Sequence, residues 1–210
     1  MKPLADCRLY TFVDTAYLHG HLPELIAQQL CDGGSDLIQL RAKRSSPKEI
    51  RRMAEKIVPI TKRAGVGLVV NDYPDIASDV GAELCHLGQE DFADSKVRNA
   101  DLRFGFGLST HSPEQAQAAL KTSVAYIAVG PVYATGTKPT AKPVTLEYVR
   151  WAAVNVSVPW FAIGGINLNN LDDVLAAGAK RICVVSAILN APDIAKACRE
   201  FRLKMGESLA

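Results

Sequence analysis

Residues 36–70 read DLIQLRAKRSSPKEIRRMAEKIVPITKRAGVGLVV, and this stretch contains one complete unit of the fold. Its two ends are apolar runs without in/out alternation, a pattern typical of parallel strands covered on both faces. The segment 47–63 has helical spacing, with Ser46 at the N-cap, Glu49 three residues later and Gly65 as a stop. Strand, helix and strand in this order predict parallel pairing through a crossover helix.

The same unit recurs along the whole chain. Short apolar runs predict eight strands at 8–13, 36–40, 66–70, 83–87, 103–108, 124–129, 159–163 and 181–185. Helical spacing predicts helices at 22–31, 47–63, 74–80, 94–100, 113–120, 146–154, 168–177 and 194–205. The regular count predicts an α/β fold, a single (β/α)8 TIM barrel over residues 1–210, which is compact beside the ~250 residues typical of such barrels. An open doubly wound sheet is the alternative, but it would leave two strand edges.

Composition excludes several classes of function. The 24 basic and 22 acidic residues leave a formal charge of +2, which gives no global field for nucleic acid or an acidic membrane surface. No apolar run is long enough to cross a bilayer, and the start MKPLADCRLY lacks a signal-peptide pattern. Five cysteines without a Cys-x-x-Cys pair indicate reduced thiols rather than a zinc site. We therefore expect a soluble, cytoplasmic protein, and a homo-oligomer is compatible with the sequence.

Unusual polar residues gather after the predicted strands, at the barrel face where active sites lie. Gln39, Arg41 and Lys43 alternate along the second strand, so their side chains should point together at the barrel axis. Taken alone, the two cations could be surface residues, and Asn71 with Asp72 could cap the next helix. We expect His86 and His111 to be structural or peripheral, because nothing pairs them with a nucleophile. Further polar or glycine positions at this face are Asp91, Ser109, Thr135, Thr137, Lys138, Gly165, Val185 and Ser186.

The loops after the seventh and eighth strands, GGI (164–166) and VSA (185–187), occupy the places that often bind a phosphate in this fold. Across the mouth, Arg41, Lys43 and Lys138 indicate a second and more highly charged anion. Asp72 and Asp91 would repel that anion by several kcal/mol at short range. A bridging Mg2+ removes the conflict, since carboxylates and a diphosphate are its usual ligands. The loop carrying Lys138 should close over the diphosphate, with Gly136 allowing the movement.

The sequence resembles the thiamine phosphate synthase (thiamine-phosphate pyrophosphorylase) family along essentially its whole length. The matching segments are QLRAK (39–43), ND (71–72), HLGQED (86–91), STH (109–111), GPV (130–132) followed by TGTK (135–138), AIGGI (162–166) and VVSA (184–187). The resemblance implies a transferase that joins 4-amino-2-methyl-5-hydroxymethylpyrimidine diphosphate to 4-methyl-5-(2-phosphooxyethyl)thiazole. Diphosphate would leave first, and the thiazole nitrogen would capture the resulting carbocation-like pyrimidine to form thiamine phosphate.

The resemblance also implies roles for individual residues. Asp72 and Asp91 would bind Mg2+, while Gln39 and Ser109 would contact the pyrimidine. Diphosphate binding is implied for Arg41, Lys43, Asn71 and Lys138, contact with the thiazole phosphate region for Thr135, Thr137, Gly165, Val185 and Ser186, and direct participation in catalysis for Arg41, Lys43, Lys138 and Ser109.

Two positions depart from the family pattern, and two rival functions stay open. Arg44 stands where an acidic residue is common, and Tyr73 where arginine is common. A thiazole tautomerase-like isomerase would need neither the cations nor the metal. A non-catalytic regulator that binds thiamine phosphate would use the same residues as the enzyme.

Overall fold

The protein folds as a closed barrel of eight parallel strands in the computed structural model, which describes residues 1–93, 105–136 and 142–206. The strands pair in sequence order, and the first also pairs with the last, so the predicted (β/α)8 barrel is confirmed and the open sheet is excluded. The strands are β1 (Leu9–Asp14), β2 (Leu37–Arg41), β3 (Gly67–Asn71), β4 (Leu84–Leu87), β5 (Gly105–Thr110), β6 (Val124–Val129), β7 (Trp160–Ile163) and β8 (Ile182–Cys183).

Helices follow the strands around the outside. The α-helices of the described ranges are α1 (Pro23–Asp32), α2 (Pro47–Ala64), α3 (Pro74–Val80), α4 (Gln89–Ala93), α5 (Pro113–Leu120), α6 (Thr145–Asn155), α7 (Leu171–Ala176), α8 (Ser186–Leu189) and α9 (Ile194–Lys204). Short 3-10 helices occupy Leu4–Asp6 and Thr15–Tyr17. Within the described part of the chain, no helix is long and apolar enough to cross a membrane.

Helix boundaries follow the local signals with a few differences. The capping box at the start of α2 is present, and Gly65 ends that helix at φ 69°. The helix predicted to begin at residue 168 begins at Leu171 instead, because the side-chain carbonyl of Asn170 accepts a hydrogen bond from the Asn167 N–H and holds a turn there. The predicted helix 94–100 lies outside the described residues. The strand predicted at 181–185 shortens to β8, because the chain turns at Val185 to start α8.

Aromatic side chains fill the barrel beneath its C-terminal face. Tyr10, Tyr126 and Phe161 are fully buried and meet edge to face, with ring centroids 5.3 to 5.8 Å apart. Gly107 makes room for this cluster, since a Cβ there would lie 2.0 Å from the Tyr126 ring. The packed rings close the barrel interior and form a floor for the space above them.

Candidate active site

A cavity of about 520 Å³ opens at the C-terminal ends of the strands. Every predicted site residue in the described ranges lines it, namely Gln39, Arg41, Lys43, Asn71, Asp72, Asp91, Ser109, Thr135, Gly165, Val185 and Ser186. Thr137 and Lys138 lie outside the described residues. The closed sheet brings these positions together because parallel strands all end at the same face.

The side chains of β2 point into the cavity in the predicted alternation. Gln39 is buried and donates from Nε2 to the Tyr10 hydroxyl at 2.6 Å. The Arg41 guanidinium donates to the Asp14 carboxylate at 2.6 Å, and Asp14 is only 1% exposed. The second Asp14 oxygen accepts from the Ala16 backbone N–H at 3.0 Å. Asp14 is therefore itself fixed by the backbone, and it holds the Arg41 guanidinium in place at the rim.

Sequence reasoning missed Asp14, although a signal was present. Asp14 ends β1 and lies in register with Arg41 at the end of β2. An acid at the end of one strand and a cation at the end of the next would have suggested the pair once the two strands were predicted as neighbours.

Asp72 lies at the rim and pairs with the Lys43 ammonium group. Its backbone is in the left-handed region at φ 65°, and its N–H donates to the His86 carbonyl at 2.9 Å. The N-cap of α3 is Tyr73, without a side-chain capping bond, so Asp72 does not serve as the helix cap. The Asp72 carboxylate makes the ion pair with Lys43 instead of a capping bond, and it lines the cavity.

Asp91 supplies a second carboxylate from the first turn of α4. One of its oxygens accepts from the Gly88 N–H at 3.2 Å. Groups of three or more His, Cys, Asp or Glu residues arranged for a metal are absent from the described ranges. Mg2+ is commonly held by one or two carboxylates together with waters and substrate phosphate oxygens, so the pair Asp72 and Asp91 fits such an ion.

The loop after β7 has a conformation that requires glycine. Gly164 and Gly165 have φ values of 103° and 66°. A Cβ at Gly165 would lie 2.7 Å from both the Ala134 carbonyl oxygen and the Tyr133 Cβ. The amide groups of Asn167 and Asn170 both donate to the Gly165 carbonyl, at 3.3 and 2.9 Å. The loop is thereby held at the cavity wall.

The loop after β8 leads directly into α8, whose N-cap is Val185. The Ile188 and Leu189 N–H groups donate to the Val185 carbonyl at 3.1 and 2.9 Å, so the helix leaves the N–H groups of Ser186 and Ala187 as its candidates for an anion. The Ser186 hydroxyl lies at the same place and lines the cavity with Val185.

His86 was expected to be structural or peripheral, but it lines the cavity and meets the hydroxyl of the predicted site residue Ser109. Its Nε2 is 2.9 Å from the Ser109 hydroxyl and its Nδ1 is 3.0 Å from the Tyr126 hydroxyl. The Tyr126 and Tyr10 hydroxyls are 2.9 Å apart. Burial raises the pKa of both tyrosines well above the ordinary value, so both hydroxyls stay protonated. Sequence reasoning missed this chain, since its members come from different strands.

These features define the class: a (β/α)8 barrel with a polar cavity at its C-terminal face, bearing cations and carboxylates after β2 to β4 and glycine-rich turns after β7. A family model described as thiamine monophosphate synthase matches residues 9–188. The chain belongs to this family and is therefore an enzyme, a transferase of thiamine biosynthesis.

Individual relatives agree with this assignment. A thiamine-phosphate synthase of Thermus thermophilus is 47% identical over 177 residues, which cover 82% of this chain and 84% of the relative. One from Acidothermus cellulolyticus is 44% identical over 205 residues, 96% of each chain. The solved structure of a thiamine phosphate pyrophosphorylase from Pyrococcus furiosus superimposes with a TM-score of 0.88 at 29% identity, over the full length of both chains.

Proposed function

We propose that the enzyme joins 4-amino-2-methyl-5-hydroxymethylpyrimidine diphosphate to 4-methyl-5-(2-phosphooxyethyl)thiazole by a dissociative substitution that releases diphosphate and forms thiamine phosphate. The observation that supports this proposal is that one cavity has two sides of different composition. Cations and carboxylates lie after β2 to β4, and glycine and helix N–H groups lie after β7 and β8. Two phosphorylated substrates would meet between them.

The diphosphate would bind to Arg41, Lys43 and Asn71, with Lys138 as a further cation. In the structure Lys43 is paired with Asp72. A diphosphate carrying Mg2+ offers each of these side chains a better partner, an anion for the lysine and a cation for the carboxylate. We expect the pair to separate on binding. Before binding, Lys43 and Asp72 neutralise each other.

Asp72 and Asp91 would hold the Mg2+ cofactor. When bound, the ion neutralises charge on the departing diphosphate, as the fixed cations also do. Asp91 accepts a backbone hydrogen bond with one oxygen and retains acceptor capacity on its carboxylate. Arg41 keeps its orientation through Asp14, so little reorganisation is needed as charge develops on the leaving group.

Gln39 and Ser109 would bind the pyrimidine over the aromatic floor. The thiazole phosphate would be held by Thr135, Thr137, Gly165, Val185 and Ser186. The bond from the pyrimidine methylene to the diphosphate oxygen breaks, and the electron pair leaves with the diphosphate. The thiazole nitrogen then donates its own pair to the methylene carbon. Alignment of the two substrates in one cavity supplies much of the rate, since the step needs little acid–base catalysis.

The test is to mix both substrates with Mg2+ and measure diphosphate release. We expect release to require the pyrimidine diphosphate, the thiazole phosphate and the metal together. A thiazole tautomerase would instead convert a thiazole carboxylate phosphate without metal, and a regulator would bind thiamine phosphate without any release. Either result would contradict the proposed reaction and support the corresponding rival function.

A cytoplasmic location is proposed from the thiols. All five cysteines are free, and four of them are buried. Burial raises the pKa of Cys7 and Cys31 to about 11, so these thiols stay protonated and weakly reactive. Free thiols that pack in the core without forming disulfides are typical of proteins in a reducing compartment.

A further inference from the structure

His111 joins the end of β5 to the start of the loop after β6. Its side chain lines the cavity, and its Nδ1 lies 2.5 Å from the Gly130 carbonyl oxygen. A carbonyl oxygen can only accept a hydrogen bond, so Nδ1 carries a proton and donates it. The neutral and the protonated imidazole can both do this. The bond therefore does not depend on the charge of His111.

The backbone of His111 is held by the helix that follows it. Its N–H donates to the side-chain carbonyl of Gln115 at 2.7 Å. Gln115 lies in the first turn of α5, and its own N–H donates to the hydroxyl of the N-cap residue Ser112 at 3.3 Å. The imidazole therefore reaches Gly130 from a backbone that α5 keeps in place.

Gly130 begins a segment that we call the β6 stem, residues 130–133, which leads from β6 toward Thr135. The other hydrogen bonds that hold the stem are Gly130 N–H to the Thr110 carbonyl at 3.2 Å, Val132 N–H to the Ile163 carbonyl at 2.8 Å, Tyr133 N–H to the Gly164 carbonyl at 3.0 Å and Val144 N–H to the Pro131 carbonyl at 2.7 Å. Each of these four bonds joins two backbone groups, whereas the Gly130 carbonyl is paired with a side chain. A substitution at His111 therefore removes one bond of the stem and leaves the groups of the other four in place.

The β6 stem and the residue after it pack directly against the glycine turn after β7. A Cβ at Gly164 would lie 2.4 Å from the Pro131 Cβ, and a Cβ at Gly165 would lie 2.7 Å from the Ala134 carbonyl oxygen. The two segments are thus in contact without a side chain of the turn between them. Because close-packed groups transmit displacements, a shift of the stem would also move the turn.

We infer that His111 is a positioning residue for the thiazole phosphate site. The inference rests on the proposed function, which assigns Thr135 and Gly165 to that ligand. Thr135 follows the stem by two residues, Gly165 belongs to the turn packed against it, and both line the cavity. His111 fixes this unit from the β5 side and acts through these two residues, without needing to touch the ligand.

The burial of the groups involved indicates a local effect. His111 is exposed, whereas Pro131 and Val132 of the stem are buried. Loss of the His111 bond should therefore let the stem open while the barrel stays folded. Such local opening distinguishes a positioning residue from one that only stabilises the fold.

The first test compares His111→Ala with His111→Asn in the free enzyme. Alanine removes the donor, whereas the asparagine amide can place an N–H group near the position of Nδ1. Amide hydrogen exchange, followed by NMR, is measured for Val132 and Val144 relative to the amides of β3, which report opening of the whole barrel. We expect this ratio to rise by about tenfold or more in His111→Ala and to stay near the wild-type value in His111→Asn.

The second test measures the dissociation constant of the thiazole phosphate by calorimetry. Diphosphate and Mg2+ replace the pyrimidine substrate, so no turnover occurs. We expect the dissociation constant to rise by about tenfold in His111→Ala, because a loosened site must be ordered on binding, and by less than about twofold in His111→Asn.

Asn155→Ala is the matched control. It also removes a bond from a side-chain N–H to a backbone carbonyl, that of Trp151 at 2.8 Å, but it does so at the end of α6 and outside the cavity lining. We expect its exchange ratio and its dissociation constant to equal those of the wild type. If His111→Ala does not fold, His111→Leu removes the donor while retaining an apolar side chain of similar size.

An unchanged exchange ratio in the folded His111→Ala variant would overturn the inference. Faster exchange of the stem with unchanged affinity for the thiazole phosphate would overturn it as well. A wild-type enzyme that does not bind the thiazole phosphate would instead contradict the proposed function. The two failures are therefore seen in different measurements.

Discussion

Asp72 combines two features that bear on its role at the scale of a single residue. Its φ of 65° is tolerated by few residue types, of which aspartate and asparagine are the commonest after glycine. Its carboxylate is 19% exposed and pairs with a lysine that is 50% exposed, so the pair itself should contribute little to stability. Backbone requirement and charge can therefore be separated by substitution.

Asp72→Asn keeps the backbone tolerance and removes the charge. We expect the Mg2+ concentration for half-maximal activity to rise by about tenfold or more, because magnesium prefers charged oxygen ligands. The free energy of unfolding should change by less than about 1 kcal/mol. Metal titrations of the initial rate and urea unfolding measure both quantities.

Asp79→Asn is the matched control, since Asp79 pairs with Arg51 on the surface at 2.7 Å. Its metal titration should match that of the wild type. An unchanged titration for Asp72→Asn would remove Asp72 from the metal site.

Lys138 is assigned to the diphosphate from its charge and its place in the TGTK segment. We expect Lys138→Ala to lower turnover by about 100-fold, as loss of a cation at a leaving group does, with an unchanged melting temperature. Lys142→Ala, an exposed lysine four residues later, should keep full turnover. Equal losses of turnover and melting temperature would indicate a structural lysine.

At the scale of elements, the turn after β7 owes its conformation to a glycine and to two asparagine side chains. Gly165 combines a positive φ with contacts that leave no room for a Cβ. Its carbonyl is held by two asparagine side chains from the segment before α7. These contacts hold the turn in one backbone conformation, at the place where we propose that the thiazole phosphate binds.

Gly165→Ala should move this turn. We expect KM for the thiazole phosphate to rise by about tenfold while KM for the pyrimidine diphosphate changes little, because our proposal assigns the two ligands to different sides of the cavity. Backbone strain and the clash should destabilise the fold by about 1–3 kcal/mol. Initial-rate kinetics with each substrate varied in turn measure the separation.

Gly20→Ala controls for strain alone, because Gly20 has a φ of 85° and nothing within 4 Å of an added Cβ. It should lose stability without a change in either KM. Equal rises in both KM values for Gly165→Ala would argue against a phosphate site at this turn.

At the scale of the whole molecule, the two faces of the barrel have different tasks. The cavity occupies the C-terminal face, and Asp36 closes the opposite face at the start of β2. Asp36 accepts from the backbone N–H groups of Arg8 and Leu9 at 2.6 and 2.9 Å. It also pairs with Lys2 at 2.7 Å and with Arg202 of α9 at 3.1 Å. One buried carboxylate thus joins both ends of the chain to the barrel.

Asp36→Asn should lower stability and spare activity. Removing one partner from a buried ion pair costs about 3–5 kcal/mol, and the partial exposure of Lys2 places our expectation near 3 kcal/mol. KM and kcat of the folded enzyme should be unchanged, because Asp36 lies at the face away from the cavity. Urea unfolding and kinetics below the transition measure these effects, and a shifted KM would contradict the division between faces.

Much of this organisation can be predicted from the sequence because its signals are local. The eight apolar runs, the Ser46 capping box and the glycines after β7 each depend on neighbours in the chain. These local signals are sufficient to predict the barrel and to place the candidate site residues at the ends of the strands. Boundaries fail where a side chain outside the pattern intervenes, as Asn170 does before α7.

The partners of the site residues depend instead on contacts between distant strands. Arg41 meets Asp14, and Tyr126 meets both Tyr10 and His86, only because the closed barrel directs these side chains to one interior. Periodicity records which way a side chain points along its own strand and contains no information about what lies opposite. The amino-acid order therefore decides the barrel and its rim of polar groups, while closure of the sheet decides which charges are paired and which buried hydroxyl and imidazole groups meet.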